Sequence, residues 1–300
     1  PQLYDCSMAD TPGVVVTLDG RLHDPQQPLL YADDLAAVRG DGVFETLLIR
    51  QGAPCLLEAH LARLAQSARM ADLRAPDLAS WRSAVQIATE RWLTDGGGEG
   101  VLRLVYSRGR EHDPTGTSYA TIGPVPDRVA QVRRHGLAAV LLDRGLPAAG
   151  VDSMPWLLAG AKTLSYAVNM AALRHAERHG AGDVVFVSAE GQVLEGPRST
   201  VVIATTSEEG RSCLLTPPPW YPILRGTTQQ ALFEVARTKG YDCDYQALTP
   251  ADLFAAEGVW LVSSITLAAR VHTLDGKPLR SARLADEMAA LIDAAILHDR

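Results

Sequence analysis

Lysine is scarce in this chain of 300 residues, which has only three lysines beside 25 arginines. Cysteine is also rare, and the four cysteines are scattered without any closely spaced pair. This spacing excludes a disulfide framework or a cysteine-rich metal site and favours a reducing, cytoplasmic setting. No apolar run approaches the about 20 residues that a membrane-spanning helix requires. Residues 1–10 lack a basic region followed by an apolar one, so we expect no secretory signal.

Excess positive charge and the common ligand-binding motifs are missing as well. The net charge is −7 and no basic stripe occurs, which argues against a nucleic-acid partner. The sequence contains no P-loop, no GxSxG nucleophile motif and no dinucleotide fingerprint after a strand. His175 and His179 are one helical turn apart, but their charged neighbours indicate a solvated face rather than zinc ligands. We therefore expect no nucleic-acid partner, no membrane association and no metal site.

Apolar patterning predicts strands and helices that follow one another without strict βαβ alternation. With 47% apolar residues the chain can bury a large core, and its length suggests about two domains. The pattern favours an α+β or mixed α/β fold over a doubly wound parallel sheet. Strands are expected at residues 14–18 and 21–22 as a hairpin, and at 43–49, 101–107, 136–143, 184–188, 199–204 and 259–264; helices are expected at 58–70, 77–93, 165–179, after 226, after 250 and at 284–297.

A proline-rich stretch at residues 123–127 is the predicted domain boundary. We expect a smaller N-terminal α/β domain at residues 1–123 and an interdomain linker at residues 124–135. A larger C-terminal α/β domain is expected at residues 136–300, and it would contain Lys162.

Lys162 is unusual among the lysines because it follows an uncharged, mostly apolar run at residues 156–161. Lys239 and Lys277 occupy a helix end and a turn, where a lysine is ordinary. Loss of hydration favours the neutral amine, and a neutral amine attacks carbonyls, so Lys162 is a Schiff-base candidate. The alternative interpretation is a lysine that pairs with a carboxylate or extends to water.

Three other positions have side chains suited to a charged ligand. Gly226, Thr227 and Thr228 open a predicted helix, where exposed N–H groups and hydroxyls bind anions; taken alone, the motif is more often an ordinary threonine N-cap. Ser264 ends an apolar strand and either binds the same kind of ligand or simply terminates the strand. Glu195 precedes an apolar strand, where it either holds a ligand cation or protonated ring nitrogen or is a plain loop residue.

Taken in order along the chain, these features resemble the fold-type IV pyridoxal-phosphate enzymes, which include branched-chain and D-amino-acid aminotransferases and aminodeoxychorismate lyase. The resemblance covers about residues 12–280, and it is specific because several separated motifs agree in order. The matching motifs are RGDGVFET at 39–46, HLARL at 60–64, AGAK at 159–162, LEG at 194–196 with STV at 199–201, GTT at 226–228 and LVSS at 261–264.

The resemblance implies a role for each matching residue. Lys162 corresponds to the catalytic lysine that forms a Schiff base with pyridoxal 5′-phosphate, and Glu195 to the carboxylate that pairs with the pyridine nitrogen. Tyr166 corresponds to a tyrosine near the cofactor. The positions that bind the cofactor phosphate in the family correspond to Arg63, Thr227, Thr228 and Ser264.

The resemblance also implies an activity. Thr46 and the stretch at residues 162–170 look more like the lyase than the aminotransferases, so we expect aminodeoxychorismate lyase activity with Thr46 assisting catalysis. Arg108 resembles an arginine that, in some members of the family, binds the carboxylate of the small-molecule substrate. The alternative is an aminotransferase for D- or branched-chain amino acids, including a dual activity, and a catalytically silent phospho-ligand-binding protein is the alternative from another class. The family further implies two domains with the cofactor in the cleft between them, and a homodimer in the cytoplasm.

Overall fold

The computed structural model describes residues 13–113, 115–206, 210–280 and 284–297. The contacts within the chain divide it into two compact units. One unit contains the described residues up to Pro126 together with Ala161–Tyr166, and the other contains Asp127–Gly160 and the described residues from Ala167 onward. The domain prediction differs here, because it assigned the Lys162 segment to the C-terminal domain. The predicted linker at 124–135 also differs, because most of it forms a helix.

The first unit contains a six-stranded sheet in which all neighbouring strands run antiparallel. The order of its strands across the sheet is β2-β1-β6-β5-β3-β4. The predicted N-terminal hairpin is confirmed, since Val15 and Val16 pair with His23 and Leu22. The six strands are β1 Val14–Thr17, β2 Leu22–His23, β3 Gly42–Arg50, β4 Ala53–Pro54, β5 Gly100–Ser107 and β6 Thr117–Pro124.

Three described helices accompany this sheet: α1 Leu35–Arg39, α2 Leu57–Met70 and α3 Leu78–Thr94. The predicted start of α3 is confirmed, because the carboxylate of Asp77 accepts hydrogen bonds from the first N–H groups of the helix. Helices α2 and α3 contribute their apolar faces to one core with the sheet, since apolar residues there recur at helical spacing. This core includes the fully buried side chains of Leu47, Leu61, Leu64, Trp81, Leu102 and Ile122.

The second unit contains an eight-stranded mixed sheet. Its main order is β11-β10-β9-β12-β13-β7-β8, with β14 paired to β13. The neighbours β10–β11, β13–β7 and β7–β8 are parallel, and the others are antiparallel. The strands are β7 Leu137–Asp143, β8 Asp183–Val187, β9 Thr200–Thr206, β10 Ser212–Thr216, β11 Asp242–Tyr245, β12 Gly258–Ser263, β13 Leu267–Leu274 and β14 Lys277–Pro278.

Five described helices belong to the second unit: α4 Asp127–His135, α5 Ala167–Arg178, α6 Thr227–Thr238, α7 Pro250–Ala255 and α8 Ala285–Ile296. The helix predicted near residue 250 is present as α7, and Thr249 and Asp252 exchange hydrogen bonds in a capping box at its start. The mixture of parallel and antiparallel strands agrees with the predicted α+β or mixed α/β class. No helix in the described part of the chain is long and apolar enough to cross a membrane.

Candidate active site

The backbone of Lys162 is attached at both ends to elements of the first unit. The N–H of Lys162 donates to the Ser67 hydroxyl of α2 at 3.0 Å, and its carbonyl accepts from the N–H of Phe44 in β3 at 3.0 Å. Two residues further on, the N–H of Leu164 donates to the carbonyl of Gly42 at 2.8 Å. These bonds place the lysine segment beside β3, which is why it groups with the first unit.

The side chain of Lys162 lies against two aromatic rings. Its Nζ is 4.4 Å from the centroid of the Phe44 ring and 5.8 Å from that of Tyr166. The two rings meet edge to face, with centroids 5.5 Å apart. An amine at this distance from an aromatic face is attracted to the ring when it is charged. The structure therefore brings the predicted pair of Lys162 and Tyr166 together and adds Phe44, for which no role was predicted.

Thr46 shares a face of β3 with Phe44, because side chains two residues apart in a strand point to the same side. Both side chains are half-buried, whereas Glu45 between them is fully buried on the opposite face. The predicted lyase residue Thr46 is thus on the face of β3 toward which the amine of Lys162 is directed.

The opposite face of β3 carries a buried ionic cluster. The carboxylate of Glu45 is 0% exposed and accepts hydrogen bonds from Arg63 Nε and Nη2, each at 2.7 Å. The third member is His60, whose Nδ1 lies 2.7 Å from Glu45 Oε2 and which is 1% exposed. His60 and Arg63 are three residues apart in α2 and so lie on the same face of that helix.

The charge states in this cluster follow from its contacts. Burial raises the pKa of Glu45, but the guanidinium of Arg63 and the bond to His60 outweigh it and hold the pKa well below its usual range. Burial lowers the pKa of His60, and the carboxylate of Glu45 opposes that shift only in part. At neutral pH an ionised Glu45 therefore accepts from a charged Arg63 and from the Nδ1–H of a neutral His60.

No role was predicted for Glu45 from the sequence. The sequence pattern does indicate its burial, since Val43, Glu45 and Leu47 occupy alternate positions of a strand and share its core-facing side. A carboxylate at such a position must be paired, because an isolated buried charge is very unfavourable. Arg63 was predicted as a phosphate ligand, and the structure adds the carboxylate that holds its guanidinium.

Arg108 is engaged by groups of its own unit. Its Nε donates to Asp41 at 2.7 Å and its Nη2 to the second oxygen of that carboxylate at 3.3 Å. The backbone carbonyls of Ala71 and Asp72 accept from Nη2 and Nη1 at 2.8 and 3.1 Å. The predicted role of Arg108 thus requires a substrate carboxylate to compete with Asp41 for the same N–H groups.

In the second unit, the start of α6 forms a group of buried hydroxyls. Thr227 and Thr228 are the first two residues of the helix, and both are buried. The hydroxyl of Thr228 lies 3.4 Å from the hydroxyl of Ser264, just after β12. The N–H groups of a first helical turn have no partner within the helix and attract anions. The structure therefore brings together three of the predicted phosphate ligands, Thr227, Thr228 and Ser264.

Two observations indicate that this helix start fits a phosphate group. A Cβ atom on Gly226 would collide with the hydroxyl of Thr200, so only glycine leaves the backbone at this position open to close approach. Gln229, in the same first turn, is 3% exposed, and its Nε2 has no hydrogen-bond partner among the described residues. A buried donor without a partner is costly, and a bound anion beside the helix start is one means of satisfying it.

Glu195 is held close to the segment that leads into α6. Its Oε2 accepts a hydrogen bond from the backbone N–H of Leu224 at 3.0 Å, two residues before Gly226. The position of the half-buried carboxylate is therefore fixed relative to the hydroxyls of Thr227 and Thr228 at the start of α6. A fixed carboxylate is suited to pairing with a protonated ring nitrogen, as predicted from the sequence. No cluster of three or more His, Cys, Asp or Glu side chains suited to a metal ion occurs among the residues that the structure describes.

Comparison with known proteins places these residues in a family. The family model for amino-transferase class IV matches residues 42–274. A protein of Mycobacterium tuberculosis named bifunctional aminodeoxychorismate lyase / D-amino acid transaminase is 67% identical over 96% of this chain and 100% of its own length.

Solved structures agree with the sequence comparison. A hypothetical aminotransferase from Mycobacterium tuberculosis in a PLP-bound form is 67% identical, has a TM-score of 0.93 and covers 96% of this chain and 100% of its own. The same protein in an α-ketoglutarate and PMP bound form gives a TM-score of 0.92 at 67% identity, with the same coverage. The predicted fold-type IV architecture is confirmed, and so is the use of pyridoxal phosphate by the family. The chain belongs to the class IV aminotransferase family of pyridoxal-phosphate enzymes.

Proposed function

We propose that this protein is an aminodeoxychorismate lyase that also transaminates D-amino acids. The observation that carries the proposal is the amine of Lys162, whose backbone is bonded to both β3 and α2 and whose Nζ lies against Phe44 and Tyr166. The M. tuberculosis relative named for both activities supports the choice of reaction.

We assign the cofactor contacts to the residues that the family resemblance named. Pyridoxal phosphate, when bound, supplies an aldehyde that combines with amines and a ring that withdraws electrons from the reacting carbon. Lys162 would hold it covalently, with Tyr166 beside the ring. Glu195 would pair with the ring nitrogen and keep it protonated. The phosphate would be held by Arg63, Thr227, Thr228 and Ser264, with the N–H groups of the first turn of α6.

These contacts indicate the role that each of the protein's own residues has in the reaction. The amine of Lys162, when it is not bound to the cofactor, would act as the base for the proton on the substrate carbon that carries nitrogen. The two backbone bonds at Lys162 limit the positions that its Nζ can take, which favours proton transfer at one atom. Thr46, on the Phe44 face of β3, would direct a hydroxyl toward the amine or the substrate.

The lyase and transaminase reactions separate after this proton transfer. In the lyase reaction, the bond between the substrate ring and the enolpyruvyl oxygen breaks, and the substrate ring, which has lost the proton from the carbon that carries nitrogen, becomes p-aminobenzoate. The departing enolpyruvate takes up a proton and is released as pyruvate. In the transaminase reaction, the amino group passes to a keto acid, so turnover requires that acceptor. The α-ketoglutarate in one structure of the M. tuberculosis relative supports a dicarboxylic keto acid as the acceptor here.

The remaining expectations are the substrate-binding role of Arg108, the assembly and the compartment. Arg108 would exchange Asp41 for the carboxylate of the substrate. A homodimer in the cytoplasm completes the proposal. The family resemblance supports the dimer, and the scattered cysteines support a reducing compartment. Light scattering on the purified protein tests the dimer.

The experiment that tests the function is a product assay with and without a keto acid. Purified holoenzyme given 4-amino-4-deoxychorismate alone is expected to release p-aminobenzoate and pyruvate in equal amounts. Holoenzyme given D-alanine is expected to form pyruvate beyond a single turnover only when α-ketoglutarate is added. Release of neither product without an acceptor would eliminate the lyase activity and leave the transaminase. Borohydride reduction and peptide mapping would place the cofactor on Lys162, and a label on Lys239 or Lys277 would overturn the assignment.

A further inference from the structure

We infer that Glu45 is a positioning residue that orients the guanidinium of Arg63 for the phosphate of the ligand. This inference rests on the proposed function, in which Arg63 contacts the cofactor phosphate. Glu45 itself is fully buried in the described structure and acts through Arg63. It lies on the face of β3 opposite Phe44 and Thr46, so it is not assigned any contact with the reacting atoms.

The geometry of the pair supports orientation. Two guanidinium nitrogens of Arg63, Nε and Nη2, donate to different oxygens of the same carboxylate, each at 2.7 Å. Such a two-point contact fixes the plane of the guanidinium as well as its position. The side chain of Arg63 is 11% exposed, so most of it is enclosed while part of it is still accessible.

The carboxylate is fixed in turn by His60. The Nδ1–H of His60 donates to Glu45 Oε2 at 2.7 Å, and the ring is 1% exposed. His60 and Arg63 both come from α2, while Glu45 comes from β3. The cluster therefore joins α2 to β3. Phe44, the residue next to Glu45 in β3, donates a hydrogen bond from its N–H to the carbonyl of Lys162. A change at Glu45 is thus expected to move Arg63 without removing any proposed ligand of the cofactor.

Charge and orientation make opposite predictions for the removal of this carboxylate. The charges of an ionised Glu45 and of Arg63 sum to zero, so Glu45 reduces the attraction of Arg63 for an anion. If charge alone mattered, Glu45→Gln would strengthen phosphate binding. If orientation matters more, the same change weakens phosphate binding, because the guanidinium is released from its fixed plane.

The experiment is a set of titrations of the cofactor-free protein by calorimetry with pyridoxal 5′-phosphate, pyridoxal and inorganic phosphate. For Glu45→Gln we expect Kd to rise about tenfold for both phosphate-containing ligands, the effect of one charge-assisted hydrogen bond. The Kd for pyridoxal, which lacks the phosphate, is expected to stay at its wild-type value. In an Arg63→Ala background, Glu45→Gln is expected to have no further effect on any ligand, because Glu45 acts through Arg63.

A matched control is the ion pair between Glu99 and Arg50 in the same unit, with 2.6 Å between Glu99 Oε1 and Arg50 Nε. Glu99→Gln removes the same charge from a partly buried pair and should leave all three Kd values unchanged. An equal loss in Glu99→Gln would show a general effect on the unit and overturn the inference. If Glu45→Gln does not fold, Glu45→Asp keeps the charge but shortens the side chain. It should show the same selective loss, and wild-type affinity in that variant would overturn the inference.

The outcomes also separate the inference from the proposed function. If the wild-type protein binds no pyridoxal 5′-phosphate, the proposed function fails. If the wild-type protein binds it and Glu45→Gln binds it as tightly or more tightly, the function stands and the positioning role of Glu45 is wrong. Selective loss of the two phosphate ligands in Glu45→Gln, with pyridoxal unchanged, supports both.

Discussion

The hydroxyl of Ser67 accepts a hydrogen bond from the backbone N–H of Lys162 at 3.0 Å, although 95 residues separate them. Ser67 is 1% exposed and lies on the same side of α2 as Arg63, four residues and about one turn earlier. One face of α2 thus contacts the Lys162 segment through Ser67 and the carboxylate of Glu45 through Arg63. The position of Lys162 therefore depends on how α2 packs against β3.

Removal of the Ser67 hydroxyl should impair catalysis more than folding. We expect Ser67→Ala to lower kcat about tenfold, because the Lys162 backbone loses one of its two attachments and 1.4 kcal/mol corresponds to about a factor of ten in rate. The control is Thr89→Val, which removes a buried hydroxyl bonded to the carbonyl of Val85 in α3 of the same unit. Steady-state kinetics and thermal melting on both variants check this, and equal losses of kcat would contradict the positioning of Lys162 by Ser67.

Glu195 can be tested without loss of its backbone contact. Glu195→Gln keeps an oxygen able to accept from the N–H of Leu224 but removes the negative charge. We expect the cofactor to remain bound while kcat falls by at least about tenfold, because an unprotonated ring withdraws electrons less well. Glu190→Gln is the control, since Glu190 also accepts from a backbone N–H, that of Ala148 at 3.0 Å. Wild-type turnover in Glu195→Gln would remove the proposed role.

The ionised state of Glu45 predicts a dependence of stability on pH. Because the folded protein holds the pKa of Glu45 below 4.5, the unfolded chain takes up this proton first as the pH falls. The stability from Glu45 is therefore complete above pH 4.5 and is lost progressively below it. We expect Glu45→Gln to lower the free energy of unfolding by about 3 kcal/mol at neutral pH, the cost of breaking a buried ion pair.

The difference between wild type and Glu45→Gln is the quantity to measure, because the titration of most other groups cancels in it. Urea denaturation at pH values from about 7 down to about 3 should give a difference that is constant above pH 4.5 and shrinks below it. A difference that stays constant through the acid range would show that folding does not lower the pKa of Glu45, and a difference that grows below pH 4.5 would show that the folded protein holds Glu45 protonated.

The substitution Gly226→Ala, which adds one methyl group, tests the proposed phosphate site. Its backbone conformation is ordinary, with φ of −72°, so any effect of Gly226→Ala comes from contact and not from strain. The new Cβ would press on the hydroxyl of Thr200 and on the Gln229 side chain. We expect weaker binding of pyridoxal 5′-phosphate by about tenfold and a stability loss of about 1 kcal/mol. Gly98→Ala is the control, since a Cβ there meets nothing within 4 Å, and equal ligand affinity in both variants would contradict the site.

The elements that were predicted are those with strong local signals. Helices α2 and α3 have clear apolar spacing, and α3 begins within one residue of its predicted start at residue 77. Helix α4 was read as linker because it is mostly polar and Val129 is its one buried residue of those described. Strand β13 was not predicted, and its parallel partner β7 is more than a hundred residues away, a pairing that no local pattern records.

The candidate site was predictable where a residue is distinctive by itself or within a family motif. Lys162 was identified from its apolar neighbours, Thr228 and Ser264 were candidate ligands of an anion from their positions, and the resemblance gave each of them a role. The Glu45 cluster was not identified, because its three members form a site only once α2 packs on β3. The assignment of the Lys162 segment to the first unit depends on its hydrogen bonds to α2 and β3, which link distant parts of the chain.

Thr46 is the residue that should separate the two proposed reactions. It lies on the Phe44 face of β3, and its hydroxyl is proposed to assist elimination but not the transfer of the amino group to a keto acid. Thr46→Val keeps the branched shape that suits a strand and removes only the hydroxyl. We expect the lyase kcat to fall by about tenfold, as for one lost hydrogen bond in the transition state, while transamination of D-alanine changes little.

The ratio of the two activities in one preparation serves as the control, because losses of folding or of bound cofactor reduce both rates together. The lyase rate is measured as p-aminobenzoate formed without a keto acid, and the transaminase rate as pyruvate formed from D-alanine with α-ketoglutarate. Thr46→Gly should shift the ratio in the same direction, since it also lacks the hydroxyl. An unchanged ratio in both variants would mean that Thr46 is an ordinary strand residue, and that the preference for elimination resides in other side chains around Lys162.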